Sequence, residues 1–293
     1  MKLYLFFFMV FICLGISGLK SQDEVFYYAP NNRPVEDIED ARHMKHVFHR
    51  SKRSHVIKSY EKRDKRWMLI EHRRIRTKQK GHQVIRIGSE LLFAQKIQRY
   101  YESLPGRNYI FRELKGKAEM RKGTASRLIP LHLEGTITEY FPNGNLKSIS
   151  DYENNQLVSN QNWLIDGSKY IDNYFYSVDE EPNYEPGFSV FRKFILKNLE
   201  SSEYDISRVN EKIVIGMVIM EDGSVAGVHR VEGKLKLLSE ILIKSLEELP
   251  GSWTPAILDG EKVRFYLTIP FNFQNESEVL KNLELRNGVL YWD

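Results

Sequence analysis

Three histidines recur every third residue: His43, His46 and His49, with His55 beyond. On a helix they would span an arc of about 120°, and zinc could take two or three of them. Against that, no acidic ligand lies nearby, and Arg42, Lys45 and Arg50 would repel a cation, so a solvated basic segment is the competing reading. Nucleophilic chemistry has no better footing. The chain has no Gly-x-Ser-x-Gly elbow, Walker loop, dinucleotide-type glycine run, His-Glu-x-x-His or EF-hand loop. Asp179, Glu180 and Glu181 precede a proline, where a turn explains them. Cys13 is the only cysteine and lies in the amino-terminal apolar run. A chain cleaved after that run has no disulfide, thiolate nucleophile or Cys-ligated zinc. The expectation is a non-catalytic protein with no cofactor and no metal.

Charge is the stronger chemical signal. The net charge over 293 residues is only +4, yet residues 41–80 hold fifteen Lys and Arg against three acids. Such a stretch could meet anionic lipid headgroups, an anionic glycan or nucleic acid, or be a solvated face. Its aromatics are sparse (Phe48, Tyr60, Trp67) and no nucleic-acid fold signature accompanies it, so no nucleic acid is expected. The "RSKRS" at 50–54 has the look of a dibasic processing site, which a stretch this rich in Lys and Arg also produces by chance.

The elements that must position these groups divide the chain into five. Residues 1–21 ("MKLYLFFFMVFICLGISGLKS") have a short positive start and an apolar run, the layout of a signal peptide or a membrane anchor. Export follows, to the periplasm or cell envelope, either free or held at the inner membrane. Residues 22–87 read as a polar lead-in and the basic segment. Residues 88–177 read as a helix followed by β-hairpins. The helix is expected over 88–104, from Leu91, Leu92, Ala94 and Ile97 with Tyr100 or Tyr101. Residues 274–293 form a tail whose "RNGVLYW" suggests one further strand.

Asn143-Gly144 is a two-residue hairpin signal between aromatic and β-branched runs, echoed by Asp166-Gly167 and, more weakly, by "ELKGKAEM" at 113–120. Residues 178–273 alternate differently. Pro186-Gly187 opens a helix with Phe188, Phe191, Phe194, Ile195 and Leu199 on one face. Ile213 to Met220 is apolar throughout, Asp222-Gly223 turns, and Val225 to Val231 returns. A two-residue loop would set Met220 opposite Val225 and Ile219 opposite Ala226. Leu235, Leu238, Leu242, Leu246 and Leu249 stripe a second helix that stops at Pro250. In 261–273, Val263, Phe265, Leu267 and Ile269 alternate with Arg264, Tyr266 and Thr268.

The "EYFPNGNLKSISDYENNQ" segment resembles the hairpin repeats of MORN-type and antitoxin-like proteins. The order helix, strand, turn, strand, helix, strand resembles the TonB C-terminal domain. Pro182, Pro186-Gly187, Gly216, Asp222-Gly223, Leu249-Pro250, Trp253, Pro255, Ile269-Pro270 and Phe273 carry that likeness. The chain departs from the family's energy transducers in having no Pro-rich linker. The resemblance implies an α+β fold: two helices on a three-stranded antiparallel sheet, preceded by an antiparallel β-hairpin region. It also implies that the last strand accepts an extended segment of an envelope or outer-membrane protein by strand addition, as in outer-membrane transport. Arg264, Tyr266 and Thr268 would select the partner, with Trp253 beside them as a platform or a core anchor. The same sheet edge offers a route to a homodimer. The alternative is a structural envelope component held to anionic lipid or glycan by the basic segment.

Overall fold

The computed structural model describes residues 23–63, 65–88, 95–202, 204–206 and 209–273, and the backbone of 283–286 and 289–292. The amino-terminal apolar run lies outside these residues. Among the described residues strand accounts for 57% and helix for 13%, so the expected α+β fold is replaced by a largely β one.

The first twelve strands form one antiparallel sheet: β1 (Glu24–Tyr28), β2 (Pro34–Val35), β3 (His43–Ser51), β4 (Ser54–Arg63), β5 (Arg66–Gln79), β6 (His82–Gly88), β7 (Gln95–Ser103), β8 (Tyr109–Lys115), β9 (Ala118–Leu128), β10 (Leu131–Tyr140), β11 (Leu146–Glu153) and β12 (Gln156–Asn162). From β12 back to β3 each strand pairs with its sequence neighbour, and β1 then adds to β3 with β2 at its side. The sheet rolls into a nearly closed barrel. Its two ends meet through side chains rather than a ladder: Asn31 Nδ2 donates to Leu157 O (2.9 Å) and Asn155 Nδ2 to Asn32 O (2.9 Å).

Two expectations fail in this sheet for the same reason. The polar lead-in and basic stretch form β1 to β5, because strands alternate with period two and here both alternating sets contain charges, which leaves no hydrophobic pattern to read. The helix expected over 88–104 is replaced from residue 95 onward by β7. There Ile97, Arg99 and Tyr101 share one face and Gln98, Tyr100 and Glu102 the other, and a charged residue at the centre of the inward set hid the alternation. The remainder of that expectation falls on 89–94, outside the described residues. The histidines separate likewise: on β3, His43 and His49 take one face and His46 the other, so the helical arc does not exist.

The second sheet begins with β13 (Tyr174–Phe175). Helix α1 (Phe188–Ser201), β14 (Lys212–Ile219), β15 (Val225–Glu232), α2 (Lys236–Glu247), β16 (Ala256–Leu258), β17 (Glu261–Asn272), β18 (Leu283–Arg286) and β19 (Val289–Trp292) follow. Its seven strands replace the three implied by the TonB C-terminal resemblance, and it is mixed, because β13 and β19 run parallel to β17. The tail contributes a hairpin, β18–β19, instead of one strand. Both helices pack on one face over Ile213, Ile215, Met217, Phe265, Leu267, Ile269 and Phe271.

Three turns share one design. At Asn143-Gly144, Asp166-Gly167 and Asp222-Gly223 the glycine N–H donates to the carbonyl three residues back (Phe141, Leu164, Met220; 2.9 Å each), with glycine φ of 88°, 90° and 81°. The Asn or Asp Oδ1 accepts from the backbone N–H two residues on. This is a type I turn closed by a left-handed glycine, one residue longer than the expected two-residue loop. The register moves accordingly: Ile219 lies opposite Val225 and Val218 opposite Ala226.

Candidate anion-binding surface

Strand register sorts the barrel's charges onto two faces. On the inner face one rung runs across eight strands, pairing Thr77, Gln83, Arg99, Glu113, Arg121, Glu139, Ser148 and Asn162 in succession. At its centre Glu113, 3% exposed, accepts from Arg99 (2.6 and 2.7 Å) and from Arg121 (2.7 Å). Arg99 also donates to Leu128 O (2.8 Å) and Gln83 Oε1 (3.2 Å). Burial alone would raise the Glu113 carboxyl, but the Arg121 and Arg99 guanidiniums outweigh it and bring it down to about 2. Arg99 and Glu113 are satisfied within this network, while Arg121, at its edge, also lines a cavity inside the barrel.

The outer face carries the unbalanced charge. One rung there pairs Phe48, Val56, Arg74, Arg86 and Lys96, and another pairs His82, Tyr100, Arg112 and Lys122. Among the described residues no acid pairs with Arg76, Arg86 or Lys96, and the nearest Lys122 partner is Glu119 at 3.6 Å. Arg50, Arg53, Lys58, Arg74, Arg76, Lys78 and Arg86 line one groove on this side. Like charges directly opposite across a ladder are destabilising, so the arrangement has a standing cost that a bound polyanion would remove. At the other end of the same strands, past the β4–β5 turn, Met68, Leu69 and Ile70 are each close to half exposed, with Lys62, Lys65 and Arg66 around the turn. The expectation of a basic segment is thus realised as a folded, three-stranded part of a sheet.

The residues expected to select a partner lie elsewhere, on β17, and are already engaged. Arg264 donates to Glu221 (3.0 and 3.2 Å) and to Asp172 O (3.0 Å). Tyr266 stacks on Tyr174 (centroids 5.0 Å apart), with Tyr170, Tyr176 and His229 around it. Burial, with Tyr174 close by, raises its hydroxyl pKa well above the usual tyrosine value. Gly216 makes this possible, since a Cβ there would collide with the Tyr266 hydroxyl. Thr268 pairs with Gly216 on one side and Val289 on the other. Trp253, 2% exposed, packs among Tyr184, Phe188 and Phe191 as a core anchor, and its backbone N–H donates to Gly223 O (3.1 Å).

The edge of β17 away from β14 is met by β16 at Glu261–Val263, by β13 at Arg264 and Phe265, and by β19 at Thr268. The covering segment is a strap of residues 170–176 that also bonds β12: Tyr170 N–H donates to Asn162 O, Asn173 N–H to Asn160 O, and Asn160 Nδ2 to Tyr174 O (2.9, 3.0 and 2.7 Å). No signal in the sequence marks this strap. A strand added to β17 between Glu261 and Thr268 would have to displace these pairs. Among the described strands β15 is open, but Gly227 breaks it at φ 62° and its carbonyl accepts from Tyr170 Oη (2.6 Å).

Among the described residues no group of three His, Cys, Asp or Glu could hold a metal, and no helix is long and apolar enough to cross a membrane. His49 Nδ1 and His55 Nδ1 lie 2.8 Å apart, and His46 faces Asp23 at 3.8 Å. Comparison with known proteins returns no match: no family model, no curated protein and no solved structure is similar to this chain.

Proposed function

We propose that the outward face of β3 to β9 docks this protein, without catalysis, on an anionic lipid surface. The observation that carries the reading is the cross-strand pair Arg86–Lys96 with Arg76 on the same face one rung along, three cations with which no acid pairs among the described residues. Lipid is favoured over a soluble polyanion by the exposed Met68, Leu69 and Ile70, which stand beside Lys62, Lys65 and Arg66. Apolar side chains flanked by cations suit the boundary between headgroups and acyl chains. An envelope location, as the amino-terminal apolar run suggests, would bring such a surface within reach.

Vesicle co-sedimentation over a salt series tests this. Binding to vesicles containing phosphatidylglycerol is expected, falling as salt rises, with neutral phosphatidylcholine vesicles left unbound. Each basic residue near such a surface is worth about 1 kcal/mol, so R76E/R86E/K96E should weaken binding by on the order of a hundredfold. Equal binding to neutral vesicles, or an unchanged charge-reversed variant, would sink the reading. Capture by heparin with no vesicle binding would replace the membrane with a soluble polyanion.

A further inference from the structure

Inside the barrel, β3 to β5 face β9 to β11 across a cavity of about 210 Å3. Lys45, Ser59 and Arg73 line it from one side, Arg121, Tyr152 and Asn155 from the other. The charges here do not balance. Arg73 is matched by Glu71 (2.5 and 2.8 Å), and Arg121 shares Glu113 with Arg99. Glu139, opposite Arg121 in the rung, also acts on that guanidinium, so the unmatched cation is Lys45, which has neither an ion pair nor a hydrogen bond among the described residues. Its ammonium sits 4.7 Å from the centre of the Tyr28 ring. Burial, with Arg73 nearby, pushes it down to about 8. The Tyr152 hydroxyl also has no hydrogen-bond partner among the described residues. A charged group in such a place normally has a counter-ion.

We infer that this cavity is a binding site for a small oxyanion, held by Lys45 and Arg121 with the Tyr152 hydroxyl as donor. At roughly 30 Å3 per water the space equals about seven waters, which suits a phosphate-sized anion with a few waters and is below the roughly 300 Å3 of a drug-sized pocket. Asn32 and Asn155 line it at the barrel's seam, where two side-chain hydrogen bonds stand in for a ladder and give the least costly way in.

Calorimetry on the full chain with inorganic phosphate, sulfate and malonate tests the site and separates phosphate-type from carboxylate ligands by their relative affinity. Saturable one-to-one binding of at least one is expected. Lys45→Met should weaken it more than tenfold while raising the melting temperature without anion, because a buried charge is removed. Tyr152→Phe should weaken it several-fold and keeps the proposal testable if the first variant misfolds. Sulfate keeps its charge between pH 7 and 9, so its affinity should drop across that range as Lys45 loses its proton. The other groups facing Lys45 are Glu71, Arg73, Arg121, Arg127, His43, His132, Tyr28 and Tyr152. No saturable binding of any of the three anions, or unchanged binding in Lys45→Met, overturns the site. R76E/R86E/K96E should bind the anion normally; loss there would move the ion to the outer face and overturn the inference without touching the vesicle result.

Discussion

The barrel and the second sheet solve the problem of an interior in opposite ways. Under α1 and α2 the buried residues form one contiguous apolar cluster of twenty side chains, from Val178 to Phe273. The barrel has two small ones, Val47–Ile57–Ile75–Ile85 and Phe111–Ala125–Ile137, separated by the rung of Gln83, Arg99, Glu113 and Arg121. One interior is held by the hydrophobic effect, which is non-directional and tolerates repacking. The other depends on particular pairs, where the loss of one partner strands a charge. A barrel of this kind can also keep a polar cavity, which an apolar core cannot do without a large desolvation cost.

The largest expected effect tests that contrast directly. Glu113→Ala should destabilise the barrel by about 3–5 kcal/mol in urea unfolding, since it leaves the buried Arg99 guanidinium without its counter-ion. Leu242→Ala should cost about 2–5 kcal/mol through a cavity beneath α2. The two differ in how they can be rescued. Replacing Arg99, Glu113 and Arg121 together with Met, Leu and Met should recover most of the loss, because an apolar set of similar volume avoids desolvation altogether. A triple variant as unstable as Glu113→Ala would show that the network is irreplaceable.

Acid should separate the regions next. The Glu113 carboxyl is held at about 2 against its ordinary 4.5, so its contribution is fully present above pH 4.5 and is lost as pH falls through about 2. That contribution is on the order of 3 kcal/mol. The barrel is expected to lose stability over this window, while the second core, whose cluster contains no carboxylate, changes less. Amide hydrogen exchange on β7 to β9 against β14 and β17 at pH 5 and pH 3 measures the difference. Equal loss of protection in both would undo it.

The smallest effect concerns the shared turn. Asp222→Ala removes the acceptor for Ser224 N–H (2.9 Å) and Oγ–H (2.6 Å), and Asp166→Ala does the same at Ser168 (2.9 and 2.6 Å). Each is exposed, so each should lower the melting temperature only slightly in thermal unfolding. A much larger effect at Asp222 would point to the contact between Gly223 and the Trp253 carbonyl, where a Cβ has no room.

Legibility followed the same divide. In the second sheet, Phe191, Ile195 and Leu199 recur at helical spacing and Phe265, Leu267 and Ile269 at strand spacing, and each set is buried together. Both elements were readable because one face is apolar. In the barrel the inward residues of β7 to β9 include Arg99, Glu113 and Arg121, so composition gave the basic stretch and nothing of its strands. The proposed docking surface was visible as an excess of Lys and Arg, but not as a sheet face. Arg264, Tyr266 and Thr268, the residues expected to select a partner, were placed on the right strand, and the strap over them was not foreseen.

By itself the sequence determined the local turns, the two amphipathic helices and the alternation of β17, because short-range sterics and hydrophobic periodicity act over a few residues. Only the tertiary structure decided which charges meet. Arg99, Glu113 and Arg121 are fourteen and eight residues apart, and the antiparallel register alone sets them side by side. The same register, together with the strap from 170 to 176, decided which face of each sheet was left for a partner.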